Sequence, residues 1–294
     1  MNREQVFQSL EAWNHPNQQK ADPSYVRVMT SNVLFSTAQN SLDYELTYQE
    51  RADILAAQYL YFSPDFLGLQ EMTLQMKEEV RERLSDVYAF VETPTRDLPQ
   101  AESAKYYDNC TPLLYKKDLY EVLDSRYHLF GRNDFFSYHW ALYRSKKDPS
   151  QRWIHMNLHF YPVAGEKQLQ GGIDTHAELV HLRRHYPTVP IVVTGDYNCY
   201  YHSEPYLVMV DGLEMRSGML IAEDIEPNGR DYWCHLVGVT ELQKNDSAID
   251  HISVTEDLVN VKLHRVLYSE LLCKSSDHCA RFLDLELKNS KPKK

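Results

Sequence analysis

The chain alternates short apolar runs with polar breaks, and the period of the apolar positions decides what each run becomes. Tyr25–Thr30 (Y-V-R-V-M-T) has the two-residue period of a strand. Tyr48–Leu60 instead carries Ile54, Leu55 and Tyr59 at helical spacing, and Pro64 stops it. Phe66–Leu69 is the next predicted strand, and Thr73–Leu84 an amphipathic helix with Thr73 as its N-cap. Strands are predicted over Thr111–Tyr115, Glu121–Tyr127, Phe135–Tyr143, Trp153–Phe160 and Ile191–Thr194. Three more, Ala248–Val254, Leu263–Tyr268 and Ala280–Leu287, close the chain. A second long helix is predicted over Ile173–His185 after a loop at 162–172, and a shorter helical piece over Ser203–Val210. Stretches 92–108 and 224–245 show no period and read as loops. Residues 1–24 read as a leading helix and connector, and 25–290 as one α+β domain of packed sheets flanked by helices.

Composition narrows the partners. Across 294 residues, 31 Lys and Arg face 42 Asp and Glu, a formal net charge of -11. Such a chain has no general attraction to nucleic acid or an anionic membrane, although a bound divalent cation would offset acid in a site. The N-terminus is polar and amphipathic, without an apolar signal region, and no window approaches a membrane span. Five scattered cysteines without a CxxC pair read as free thiols. Together these features lead us to expect a cytoplasmic protein; the oligomeric state stays open.

The chemistry is written at the strand ends. Ile191–Asn198 (I-V-V-T-G-D-Y-N) is a β-branched strand that ends in a glycine, a carboxylate and an amide. Asp196 and Asn198 are two residues apart and are expected to point to the same side. Three other runs end similarly: V-R-V-M-T-S-N at Asn32, D-F-L-G-L-Q-E at Glu71, and W-I-H-M-N-L-H at His159. Leu67, Leu69 and Glu71 are expected to share one face. On the third run, His155, Asn157 and His159 are expected to oppose Ile154, Met156 and Leu158. Ile249-Asp250-His251-Ile252 and Ser276-Asp277-His278 add an acid and a histidine each. Glu71 and Asp277 are hard oxygen donors; with Asn32, Asp196 and Asn198 they suit Mg²⁺ or Mn²⁺ rather than tetrahedral zinc. His278 oriented by Asp250 would form an acid/base or phosphate-contacting pair. Asp196 would polarise a water, while His159 and Asn157 would hold a phosphoryl oxygen. Metal-assisted attack on phosphorus needs this inventory.

With S-N-V at 31–33, L-Q-E at 69–71, N-L-H at 157–159, G-D-Y-N at 195–198, I-D-H-I at 249–252 and S-D-H at 276–278 in this order, the chain resembles the endonuclease/exonuclease/phosphatase family of Mg²⁺-dependent phosphoesterases. The resemblance implies a four-layer α/β/β/α sandwich of two mainly antiparallel sheets flanked by helices, with one active site at its rim. It implies Glu71 as main metal ligand, helped by Asn32 and Asp277. Asp196 and Asn198 would handle water and phosphate, Asp250 would orient His278, and His159 would contact the scissile phosphate or act as acid. The expected substrate is a phosphate ester, foremost a phosphodiester, with a DNA or RNA nuclease as the alternative. A non-catalytic binding protein on the same fold is the rival from another class, but it would be expected to lose the Glu, the Asp-x-Asn or the terminal His, and all three are kept. Two departures stand out: Leu34 occupies a position where some members carry an acid or amide, and no basic or aromatic DNA-gripping insertion is identifiable.

Other polar residues have plainer readings. His155, His251 and Cys279 read as structural, and His176, His181 and His185 as a solvated helix face. His155 and His159 have the spacing of H-E-x-x-H, but Met156 replaces the needed Glu. Phe135, Phe136, Tyr138 and Trp140 read as sheet packing. Arg144, Trp233 and His235 are candidate substrate contacts.

Overall fold

In the computed structural model, residues 3–36, 46–93, 109–131, 135–225 and 248–288 are described, with the backbone of 232–233 and 243–244. Two sheets lie face to face. The first runs in the order β10 (Asp224–Ile225), β14 (Val259–Val266), β15 (Arg281–Leu287), β1 (Val26–Asn32), β2 (Phe66–Gln70), β4 (Leu113–Lys116), β3 (Tyr88–Phe90). The second runs β5 (Tyr120–Leu129), β6 (Ser137–Ser145), β7 (Arg152–His159), β8 (Ile191–Asp196), β13 (Asp250–Thr255), β9 (Met215–Ser217). A separate pair joins β11 (Tyr232–Trp233) to β12 (Gln243–Lys244). Most neighbours are antiparallel; β1 with β2, β7 with β8 and β10 with β14 are parallel.

Apolar faces explain the layering. Helices α1 (Arg3–Trp13), α2 (Tyr48–Phe62) and α3 (Leu74–Leu84) cover the first sheet, where Leu10, Ala56 and Val80 share a core with Leu67, Leu69 and Phe282. Helices α4 (Glu166–His185) and α5 (Glu204–Val210) cover the second, where Leu179, Leu182 and Met209 meet Met156, Leu158 and Val193. A single turn, α6 (Gly218–Ile221), follows. Between the sheets lie Val28, Phe66, Trp153, Val192, Ile252 and Leu283. Each such buried side chain contributes roughly 1.5–3 kcal/mol of transfer free energy. The result is the expected four-layer sandwich.

Caps set the helix ends. Thr47 and Glu50 form a reciprocal capping box at the start of α2, whose chain turns left-handed at Ser63, φ 50°, just before Pro64. The hydroxyl of Thr73 accepts from the Met76 N–H, as expected of an N-cap. One boundary differs from the sequence reading. The stretch expected to be a loop at 162–172 is helical from Glu166 onward. Within it Gly172 serves packing: a Cβ on it would stand 2.5 Å from the Pro205 carbonyl of α5. Among the described residues no helix is long and apolar enough to cross a membrane. Cys110, Cys199, Cys273 and Cys279 are buried; Cys234 lies outside the described residues.

Candidate active site

Register brings the polar strand ends into one row. On β8, Asp196 pairs with His159 of β7 on one side and with Asp250 of β13 on the other. Gly195 makes that closure achievable, because a Cβ there would run into the Leu158 carbonyl of β7. Beside the row, His278 Nδ1 lies 2.8 Å from Asp250 Oδ2, and its Nε2 is 3.8 Å from Asp196 Oδ2. His159 Nε2 is 3.6 Å from the same oxygen. The backbone N–H of Asn198 donates to Asp196 Oδ1 at 2.9 Å.

The first sheet supplies the facing half. Asn32 ends β1 opposite Gln70 of β2, and Glu71 follows at once. Glu71 does not continue the Leu67–Leu69 row as expected: it is left-handed, with φ 62°, so the strand alternation stops one residue earlier. That turn brings its carboxylate to Asn32, whose Nδ2 donates to Glu71 Oε1 at 3.0 Å and to Asp196 Oδ2 at 3.1 Å. Asn198 is left-handed too, with φ 48°, and its Nδ2 donates to the Phe160 carbonyl. Non-glycine residues in this region are strained, and such strain gathers at functional sites.

Burial dominates the electrostatics. It pushes the Asp196 carboxyl up to about 7; the charge of Asp250 adds to the rise, and the His278 charge opposes it. It also raises Glu71, against the donor of Asn32 and with help from the Asp277 charge. His159 falls to about 3, by burial first and then by the nearby His278 charge. Burial works against the ionised forms of His278 and Asp250 as well, but their mutual attraction and hydrogen bond win. His278 ends well above its ordinary value and Asp250 below its own.

The donor set fits a hard divalent cation. Glu71, His159 and Asp196 offer ligand atoms within 4.8 Å of one another, as do Asp196, Asp250 and His278. Two buried acids whose carboxyls are both pushed upward would be relieved by a cation between them. The preponderance of carboxylate oxygen suits Mg²⁺ or Mn²⁺. Asn32 is oriented otherwise than expected of a ligand, since its Oδ1 accepts from the Leu34 N–H at 3.0 Å. Asp277 stands outside both tight groups, near enough for its charge to act on Glu71 and His278.

Two candidates belong elsewhere. Asn157 is fully buried, and its Nδ2 is taken by the Leu69 and Pro112 carbonyls while its Oδ1 accepts from Gln70 and Thr194. That leaves no donor for a phosphoryl oxygen; the residue ties the two sheets together. Arg144 pairs with Glu121 and sits opposite Arg152, whereas Ser137 on the same strand sits opposite His159. Seven residues of strand put Arg144 roughly 23 Å from the site end, so it makes no substrate contact there. His235 and the side chain of Trp233 lie outside the described residues. His155 bonds Thr194 and His251 bonds the Cys199 carbonyl, both buried, while His181 and His185 stack on the outer face of α4.

Three residues to which the sequence reading gave no role in the site support it. Arg51, buried on α2, donates to the carbonyls of Val33, Leu34, Phe35 and Ser275, joining the loop after β1 to the turn before His278. A lone arginine within the apolar period of that helix was its only signal. Ser276 Oγ donates to the Asn32 carbonyl and accepts from the His278 N–H. Phe136 stands edge-on to His159, ring centroids 4.9 Å apart, so part of the aromatic run reaches the site.

The protein-family model described as the endonuclease/exonuclease/phosphatase family matches residues 29–278. No curated protein matches the sequence. Among solved structures, an endonuclease/exonuclease/phosphatase from Bacteroides vulgatus is 26% identical, with TM-score 0.71, covering 90% of this chain and 99% of its own. The mannosyl-6-phosphatase of Bacteroides thetaiotaomicron is 17% identical, with TM-score 0.71, covering 89% and 99%. The human Nocturnin catalytic domain, solved with a bound sulfate anion, is 18% identical, with TM-score 0.70, covering 90% and 95%. The last two likenesses speak for the fold alone.

Proposed function

The chain belongs to the endonuclease/exonuclease/phosphatase family, whose members hydrolyse phosphoesters, and from that premise we propose that it is a divalent-metal-dependent hydrolase of phosphate esters acting by direct attack of water. The observation that carries this reading is the row His159–Asp196–Asp250, closed by His278 on one side and by the Asn32–Glu71 bridge on the other.

Each group has a task its surroundings fit. Glu71 is the principal holder of the cation, with Asp196 and Asp277 beside it. When bound, the cation neutralises charge on a phosphoryl oxygen and favours deprotonation of the attacking water. Asp196, held in place by the Asn198 N–H, accepts a proton from that water. His278, kept charged by Asp250, donates to a phosphoryl oxygen and stabilises the charge that develops there. His159 is neutral by virtue of its burial and orients the phosphate. Asn32 spaces the two carboxylates it bridges, and Asn198 fixes Asp196 through its backbone N–H.

The test is hydrolysis of aryl phosphate monoesters and diesters with Mg²⁺ or Mn²⁺, beside labelled DNA and RNA oligonucleotides. His278→Ala and Glu71→Ala are each expected to lose about 10²–10⁴-fold in kcat/KM, the span of one acid/base or charge-stabilising group, while melting cooperatively. Full activity in either variant, or no turnover by the wild type, overturns the assignment. A nuclease would need a basic track for its strand, which the net charge of -11 does not favour.

A further inference from the structure

A cavity of about 590 Å³ opens directly beside the catalytic row. Asn198 forms part of its wall, and so does Ile249, the residue before Asp250. Its far side is built by the loop from Pro162 to Gly165, the first turn of α4, and the segment from Tyr200 to Pro205. Its size is that of a small-molecule subsite.

The wall is held in shape by one buried residue. Gln168 on α4 is 2% exposed, and its Nε2 donates to the Tyr161 carbonyl at 2.9 Å and to the Asn198 carbonyl at 2.7 Å. One amide thus ties the Pro162 loop to the residue that steadies Asp196.

The lining carries a chemical signature. Glu166 and Glu204 contribute two carboxylates, and no lysine or arginine lines the cavity among the described residues. A ligand with further phosphates, such as a nucleic-acid strand, would meet like charge. Tyr200 is the one aromatic side chain in the lining, which makes a single stacking face and not the multi-aromatic cage a quaternary ammonium needs. Against it stand acceptors, the two carboxylates, and donors, the Ser203 hydroxyl and the first N–H groups of α4, which has no side-chain cap. A wall of mixed donors and acceptors matches hydroxyl groups, which both give and accept.

We infer that this cavity holds the alcohol portion of the substrate, and that this alcohol is an uncharged, polyhydroxylated one of the sugar or polyol class. The inference rests on the phosphoester-hydrolase reading above and names which ester that site takes. Glu166 and Glu204 would accept its hydroxyl hydrogens while Tyr200 covers its apolar face.

The experiment compares the wild type, Glu166→Gln/Glu204→Gln and Tyr200→Ala on hexose and polyol monophosphates, phenyl phosphate, phosphocholine and an oligonucleotide. Sugar or polyol phosphates are expected to be the best substrates. Each variant should raise their KM about tenfold, the loss of one or two charge-assisted hydrogen bonds or a stacking face, with kcat held within twofold. Phenyl phosphate, which offers no hydroxyl, should be hydrolysed equally by all three proteins. The free alcohol should inhibit the wild type competitively and each variant about tenfold more weakly. Unchanged KM values for the sugar phosphates, or a preference for phosphocholine or the oligonucleotide, overturn the subsite while phenyl phosphate hydrolysis leaves the hydrolase standing. Absence of turnover on phenyl phosphate and every other ester overturns the hydrolase reading itself.

Discussion

At the start of β1, Arg27 is fully buried and each of its three side-chain nitrogens is hydrogen-bonded. Its Nε and Nη2 grip both oxygens of Asp284 at 2.6 and 2.8 Å, and its Nη1 donates to the Asn17, Gln18 and Phe62 carbonyls. Nearby, Asp65 accepts from the Arg27 N–H and from Lys20. Five residues on, at the other end of the same strand, Asn32 stands between Glu71 and Asp196, two buried carboxylates with a neutral amide for a bridge. The first cluster pairs its charges within the protein; the second has carboxyls pushed upward by burial, with the His278 charge opposing the rise. The difference teaches what separates a buried ion network that holds a fold from one that the proposed cation and substrate would complete.

Several experiments can break or sharpen that contrast. The largest stability effect is expected from Arg27→Ala. Removing one partner of a buried ion pair costs roughly 3–5 kcal/mol, read as a lower urea midpoint, and the protein that remains folded should keep its kcat. A loss of kcat with unchanged stability would reverse the roles of the two ends.

The next effect is stabilisation by metal. At a hundredfold excess over Kd, Mg²⁺ or Mn²⁺ should add about 2.7 kcal/mol, seen as a rise in Tm. Glu71→Ala should abolish the rise, and Arg27→Lys should keep it. An equal rise in both variants would place the cation elsewhere.

A further effect, read along the pH axis, concerns a third set of buried groups, which carry no charge at all. Burial lowers His139, His155 and His264 from 6.5 to about 3. Between those values the unfolded chain takes up protons that the folded chain refuses, so stability rises with pH across that window and is lost on acidification below about 6.5. Tm should therefore fall steadily from pH 7 to pH 4, and His264→Gln should flatten the slope by up to one proton. A Tm that does not change over this range would show that these imidazoles are not held neutral.

Much of the site could be read from single stretches. Asp196, His159 and Glu71 stand out as polar residues ending or following an apolar run, and Asp250 and His278 as polar residues at or before the start of one, where a core residue would be expected. Asn157 stood out for the same reason and proved to be a brace, because its place in the sequence says which face it occupies but not that Gln70, Leu69, Pro112 and Thr194 converge on it. Arg144 was misplaced because a strand's period gives the face of a residue and not which end of the sheet lies near the site. Glu71 kept its part but lost its expected geometry, since a left-handed residue obeys no strand period. The stretch 162–172 read as a loop, whereas α4 begins at Glu166 and its Gly171 and Gly172 make contact with Phe160 and α5.

By itself the sequence determined the layers, the cap at Thr73, the apolar faces and the kinds of side chain gathered at the strand ends, since these follow from local periodicity and chemistry. Only the tertiary structure decided that β7, β8 and β13 align His159, Asp196 and Asp250 in one row, and that Asn32 reaches across 164 residues to Asp196. It also decided that the acids there are desolvated. Register, reach and burial are properties of segments distant in the chain, and proton affinity in the site depends on all three.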